Sequence, residues 1–353
     1  MKRLENALYL EDIEYVAKLN LPWEKLKDKT VAITGASGQI GCFFIDVLMY
    51  KNRHDELGCT VVAMGRNEER MRSTFDYCCD SSDFVFMPYD ISLPLTNAVD
   101  RKIDFFLHLA SNTHPVQYST DPIGTITTNI VGLLNVLNFA ADNGVTRVAF
   151  ASSNEIYGEN RGDTEKFDEG YCGYIDCNTL RAGYPESKRC GEALCQAFIK
   201  QKGLDVVIPR ITRTYGPTLL KTDSKALSQF LNKGVNGEDI VLKSKGTQFY
   251  SYLYVADTVS GLLTVLLKGQ NGEAYNIADE RSDITLKELA AFIANASNKK
   301  VVFEIPDEVE QAGFSKATKA LLDSSKLQAL GWTSKYNISE GIARTLAMLK
   351  KIG

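Results

Sequence analysis

Short apolar runs that end in glycine or a polar residue alternate, through the first 215 positions, with longer stretches whose apolar residues recur at helical spacing. Runs at 30–34, 60–64, 84–87, 104–109, 148–151 and 205–209 have the length of buried strands. Helices are predicted over 40–50, 127–143 and 184–202. In the second of these, Ile130, Leu133, Leu134 and Leu137 fall on one face. Strands alternating with helices imply a parallel, doubly wound sheet covered on both sides, with right-handed crossovers. Beyond Gly216-Pro217 the pattern loosens. Helices are expected over 227–234, 257–267, 286–296 and 338–350, and strands over 240–242, 251–255, 274–277 and 301–304. The fold class expected is therefore α/β, a Rossmann-type doubly wound sheet with a smaller C-terminal α/β lobe. Residues 1–28 read as a helical extension. Residues 29–215 form the nucleotide-binding unit, to which 250–278 return. Residues 216–249 and 279–353 form the lobe over the strand ends.

Composition narrows the class. Of 353 residues, 44% are hydrophobic, enough for a real core, and the net charge of −4 leaves no electrostatic footprint for nucleic acid or an anionic membrane. The first 28 residues carry Glu5, Glu11, Asp12 and Glu14 and do not read as a signal peptide. No stretch is expected to span a membrane. The eight cysteines lack paired metal-ligand spacing, Cys172/Cys177 and Cys190/Cys195 included, and read as free thiols of a reducing cytosol. No metal is expected, and the localisation expected is cytoplasmic.

The chemistry is concentrated at strand ends. Gly35-x-x-Gly38-x-x-Gly41 follows a strand and opens a helix. Glycines there allow a tight turn and close approach of a pyrophosphate, and the helix start offers free amides. Gly35, Ser37, Gly38, Gln39, Ile40 and Gly41 are the candidate phosphate-binding residues of a dinucleotide. The second strand ends in Gly65-Arg66-Asn67, with arginine where an acid would hold a ribose hydroxyl. Arg66 leaves NADP open beside NAD. Asp90 and Ile91 follow the third strand and are placed against adenine. Leu109, Ala110 and Ser111 line the cofactor path, whereas His108 reads as a core histidine. Tyr184 and Lys188 stand four apart on a helix, so they share a face. An ammonium beside the phenol favours phenolate, which makes Tyr184 a candidate base. Ser153 is placed to hold the alcohol that Tyr184 deprotonates. Glu155 is a candidate for removing a proton beside a carbonyl.

These motifs, with Tyr215-Gly216-Pro217, Tyr254-Val255-x-Asp257, Tyr275-Asn276-Ile277 and Asn129, resemble the extended short-chain dehydrogenase/reductase family from residue 29 onward. Members include nucleotide-sugar epimerases, 4,6-dehydratases, decarboxylases and 4-ketoreductases. The string Arg181-Ala182-Gly183-Tyr184-Pro185-Glu186-Ser187-Lys188-Arg189 and the string Ser152-Ser153-Asn154-Glu155-Ile156-Tyr157-Gly158 are most similar to UDP-glucuronate decarboxylases. The resemblance implies that Ser153, Glu155, Tyr184 and Lys188 are catalytic, with Lys188 also on the nicotinamide ribose. Asn154, Arg181, Arg213 and Tyr250 then face substrate. The chain departs from the decarboxylase pattern twice, with Tyr250 for an arginine and Arg213 for an asparagine. Asn154 also replaces the aspartate that many dehydratases place before the glutamate.

The reaction implied is transient oxidation of a sugar C4 hydroxyl by tightly held NAD(P), with decarboxylation ranked first. Epimerisation or ketoreduction comes next, then dehydration. A cofactor-sensing regulator without chemistry is the reading from another class. The resemblance also implies a homodimer through the helices at 127–143 and 184–202, with Leu133, Leu137, Leu194 and Phe198 at the seam.

Overall fold

Fourteen strands organise the chain, among the residues described by the computed structural model: 1–352 without 97–100, 114, 221, 307–310, 312, 313, 315 and 316. They are β1 (Thr30–Thr34), β2 (Thr60–Gly65), β3 (Phe84–Pro88), β4 (Phe105–His108), β5 (Arg147–Phe150), β6 (Ser152–Ser153) and β7 (Val206–Ile211), followed by β8 (Arg213–Tyr215), β9 (Ile240–Leu242), β10 (Phe249–Tyr254), β11 (Ala274–Ile277), β12 (Asp283–Thr285), β13 (Val301–Phe303) and β14 (Lys319–Ala320). The main sheet runs β11-β7-β5-β4-β1-β2-β3, with β6 continuing beside β7, and its pairings are parallel. The chain leaves β1 toward β2 on one side and reaches β4 on the other. That reversal opens a crevice at the ends of β1 and β4, where open α/β sheets bind ligands.

Period-two alternation sends β1 side chains to opposite faces. Val31 and Ile33 join one core with Phe43, Phe44 and Leu48 of the helix Gln39–Asp55, and with the helices Ala7–Ala17 and Val255–Lys268. Ala32 joins the other core, with Phe106, Leu133, Val136 and Leu137. This second layer is built by the helices Pro122–Asp142 and Gly183–Lys202. Pro122 starts the first of them, and Asp121 caps it by accepting from the Gly124 amide at 3.0 Å.

Two expectations change here. The 21-residue helix Pro122–Asp142 is long and apolar enough to cross a membrane by length and composition, although no such stretch was expected; in this fold its inner face packs on the sheet. The expected seam residues do not face outward either. Leu133 and Leu137 are fully buried, Phe198 nearly so, and Leu194 packs beside them, all within one protomer's core. The helical pitch instead exposes Ile123, Ile126, Val131 and Leu134.

The smaller sheet has the order β12-β10-β14, with β8 also paired to β10. Residues 250–254, grouped with the nucleotide-binding unit from sequence, thus form a strand of the smaller sheet, while β11 lies in the main one. β9 and β13 form a separate parallel pair. The N-terminal extension is fastened by charge. Asp46 is fully buried and accepts from Arg3 Nε at 2.7 Å and Nη2 at 2.9 Å, from the Tyr9 hydroxyl at 2.6 Å and from the Tyr77 hydroxyl at 2.7 Å. Asp12, on the first helix, pairs with Arg344 at 2.8 Å and accepts from the Tyr254 hydroxyl at 2.6 Å.

Candidate active site

Gly35 takes a left-handed φ of +69°, and a Cβ there would stand 3.0 Å from the Leu109 and Ala110 backbone. A Cβ on Gly41 would lie 2.5 Å from the Gly35 carbonyl oxygen. These two glycines let the loop turn and lie against the end of β4. A Cβ on Gly38, the residue before the helix, would meet only the Gly35 oxygen at 3.1 Å, so its outer side is left clear for a ligand. The side-chain nitrogen of Gln39 is buried with no partner. A bare helix start and an orphaned amide suit the phosphates of a dinucleotide. Ser37 and Ile40 lie in the same turn, and Arg70 donates to the Ser37 carbonyl at 3.0 Å.

The flanks fit the same group. Arg66 is exposed at the tip of β2 and makes no hydrogen bond or ion pair among the described residues. Asp90 accepts from the Ser92 amide at 3.0 Å and hydroxyl at 2.7 Å, which hold its carboxyl below the ordinary carboxylate range. Ile91 fills the notch left by Gly132, and Asn135 donates to its carbonyl at 2.9 Å. His108 is buried and neutral, its Nδ1 2.8 Å from the Thr34 hydroxyl oxygen, with burial and then Lys188 pushing its pKa down to about 3.

Tyr184, Ser153 and Ser111 meet at the end of the sheet. Ser111 donates to Asn129 at 2.7 Å, Asn129 donates to Ser187 at 2.8 Å, and Ser187 donates to the Tyr184 carbonyl at 2.8 Å. This relay ties the loop after β4 to the first turn of the helix bearing Tyr184. Ser153 accepts from the Glu155 amide at 3.2 Å and so starts the short turn Asn154–Tyr157. Lys188 donates to the Ala151 carbonyl at 2.8 Å, and its nitrogen stands 6.0 Å from the centre of the Tyr184 ring.

Beside them lies an open pocket lined by Asn154, Glu155, Arg181, Pro185 and Arg213 among others. Arg181 forms an ion pair with Glu155, and its guanidinium also sits 4.7 Å above the Tyr118 ring. Tyr118 in turn stacks on Tyr184, with centroids 5.0 Å apart. Arg213 lies 3.6 Å over the Tyr250 ring. Burial alone would raise the Glu155 pKa. Arg181, Arg213 and Lys225 outweigh it and hold the carboxyl below its usual range, so Glu155 is charged at neutral pH.

The model of the NAD dependent epimerase/dehydratase family matches residues 31–278. The chain belongs to that family. It is 30% identical over 316 residues to UDP-glucuronic acid decarboxylase 3 of Arabidopsis thaliana, covering 88% of this chain and 86% of the relative. It is 28% identical over 326 residues to UDP-glucuronic acid decarboxylase 1 of Xenopus tropicalis, covering 92% and 72%. In fold it is similar to a UDP-glucose 4-epimerase from Thermotoga maritima, with TM-score 0.77 and 22% identity over 91% of this chain and 99% of the other. A dTDP-glucose 4,6-dehydratase from Streptomyces venezuelae gives 0.78 and 23% over 91% and 97%.

For this epimerase/dehydratase-family protein one sequence expectation changes sign. Lys188 was expected to lower the Tyr184 pKa. Burial instead pushes Tyr184 up to about 12, with the Ser153 hydroxyl, Arg181 and the Ser111 hydroxyl pulling against it. Burial also pushes Lys188 down to about 8. Two groups withdrawn from water each resist charging, and burial is the largest influence on both. Tyr250 does not present its hydroxyl to the pocket; it donates to the Ala317 carbonyl at 2.6 Å.

Sequence reasoning missed Tyr118, which sits in the helix Pro115–Thr120, a stretch for which no helix was predicted. It also missed the buried pair behind Ser152. Arg210 grips Glu192 at 3.0 and 2.7 Å, and Ser152 donates to Glu192 at 2.5 Å. The spacing of Glu192 from Lys188, one helical turn, was the available signal.

Proposed function

We propose that this protein oxidises the C4 hydroxyl of a nucleotide-linked sugar transiently and decarboxylates a uronic acid through the resulting ketone. The observation that carries the reading is Tyr184, hydrogen-bonded with the Ser153 hydroxyl, next to an ionised Glu155 that lines the adjoining pocket. The names of the relatives, UDP-glucuronic acid decarboxylases, support the choice of reaction. When bound, oxidised nicotinamide supplies a hydride acceptor and a positive charge that favours the Tyr184 phenolate. Gly35, Gly38, Gln39 and Gly41 would hold its pyrophosphate, and Lys188 would face the nicotinamide ribose. Tyr184 takes the proton of the C4 hydroxyl while Ser153 orients it. The 4-ketone accepts the electron pair of the C5–carboxylate bond as carbon dioxide leaves, and protonation at C5 follows. Tyr184 then gives its proton back to the C4 oxygen, and a nicotinamide that returned its hydride would close a redox-neutral cycle.

The finer cofactor reading is that Arg66 admits the 2′-phosphate of NADP. The exposed apolar line Ile123, Val131 and Leu134 supports a homodimer, since such a face is covered in most stable folds. The eight free cysteines support a reducing, cytoplasmic setting. The test of the chemistry is Tyr184→Phe. The variant is expected to bind cofactor as the parent does and to form no product; near-parental turnover contradicts the mechanism.

A further inference from the structure

We infer that Arg213, laid flat on Tyr250, is the carboxylate-recognising side chain of the pocket, with Arg181 completing the seat. Its ligand is the carboxylate of a nucleotide-linked uronic acid, in preference to the uncharged hexose. The inference rests on the proposed nucleotide-sugar reading and specifies which side chains select among such sugars.

The arrangement starts from strand pairing. In the parallel pair β8–β10, Arg213 is opposite Tyr252. Tyr250 lies two residues along β10 and so projects from the same face. The Tyr250 ring is buried and its hydroxyl is anchored on the Ala317 carbonyl at 2.6 Å. A ring fixed in this way is a rigid platform, and the Arg213 guanidinium sits 3.6 Å from its centre. Stacking engages the guanidinium face and leaves its N–H edge for in-plane acceptors.

No acceptor among the described residues meets that edge. Arg213 Nη1 is buried without a partner, as are Nε and Nη1 of Arg181. Buried guanidinium N–H groups left unpaired are costly, so the seat is built for a ligand that brings acceptors. Both arginines depress the Glu155 carboxyl, but its ion pair is with Arg181. One carboxylate facing two guanidinium groups leaves room for a second. A planar carboxylate matches the guanidinium fork, and its two oxygens offer enough lone pairs for all three unpaired nitrogens. Glu159, exposed, and Asp176, half-buried, also line the pocket and repel an anion from the rest of its wall. The remaining anion of such a substrate, the diphosphate, offers similar acceptors, so the experiment must separate the two.

NAD-loaded Tyr184→Phe protein, which leaves substrate unconverted, is titrated calorimetrically with UDP, UDP-glucose and UDP-glucuronate. UDP-glucuronate is expected to bind roughly tenfold or more tightly than UDP-glucose. Adding Arg213→Gln is expected to erase that preference while UDP and UDP-glucose stay within about twofold. Adding Tyr250→Phe keeps the platform and the preference, whereas Tyr250→Leu loses most of it. Equal binding of the two sugars by the parent overturns the inference and leaves the proposed C4 oxidation standing. Arg213→Gln weakening UDP itself as much as UDP-glucuronate also overturns it, by assigning Arg213 to the diphosphate. Failure of all three nucleotides to bind removes the nucleotide-sugar reading and the seat together.

Discussion

Replacing Arg3 by alanine tests what the N-terminal extension does for the cofactor-binding half of the molecule. Arg3 reaches from the first turn of the chain to Asp46, on the helix whose start carries the glycine loop. The Asp46 side chain is fully buried and that of Arg3 is 18% exposed. Removing one partner of a fully buried ion pair costs about 3–5 kcal/mol, because the other charge is left uncompensated. Two features reduce that figure here. Arg3 is not wholly desolvated, and the Tyr9 and Tyr77 hydroxyls still donate to the stranded carboxylate at 2.6 and 2.7 Å. We therefore expect a loss of about 2–3 kcal/mol. Urea unfolding of the parent, Arg3→Ala, Asp46→Asn and the double variant measures it. The cycle should return a coupling of about 2 kcal/mol between the two sites. A destabilisation below about 0.5 kcal/mol with no coupling, the usual result for surface ion pairs, refutes the claim that the extension is clamped by charge.

Asp257 gives a pH dependence. It is fully buried, and burial lifts its pKa from 3.8 to about 6, although the Lys335 and Tyr336 amides and the Tyr15 hydroxyl donate to it. The folded state then binds more protons than the unfolded state between about pH 4 and 6, so stability falls as pH rises through that window. The contribution reaches about 3 kcal/mol at its limit; Asp257→Asn should flatten the slope in melts at pH 5 and pH 7, and an unchanged slope excludes Asp257 as its source. Gly35→Ala forces a side chain into a left-handed backbone 3.0 Å from Leu109; it should cost about 1–3 kcal/mol and weaken NAD binding, measured by nucleotide fluorescence, whereas parental affinity would show that the loop tolerates a Cβ. Leu134→Glu should convert a dimer to a monomer in sedimentation, while a parent that sediments as a monomer rejects the dimer. Arg66→Ala should weaken NADP more than NAD, and equal losses would remove Arg66 from cofactor selection.

The parts of this molecule legible in the sequence are those whose physics is local. The glycine loop announced itself because Gly35 and Gly41 meet demands set within a few residues. The main-sheet strands were visible as apolar runs because both faces of the sheet are covered. Strand ends at Ser152–Ser153 and Arg213–Tyr215 were not, since their pairing is decided by β7 and β10, far away in sequence. The seam residues were misplaced for a related reason. Periodicity finds the apolar face of a helix but not whether sheet or solvent lies against it. The Tyr184–Lys188 pair was recognised from spacing, yet its electrostatics were misjudged, because burial acts on both partners and no spacing encodes burial. Tyr118 carried no local signal at all; its place between Arg181 and Tyr184 exists only in three dimensions.

Product analysis after incubating the NAD-loaded protein with UDP-glucuronate tests the central claim most directly. The account predicts a nucleotide sugar lighter by one carbon dioxide, with no net change in NAD, and no such product from Tyr184→Phe. A parent reaction that returns UDP-glucuronate unchanged in mass and in C4 configuration, with cofactor shown to be bound, contradicts it.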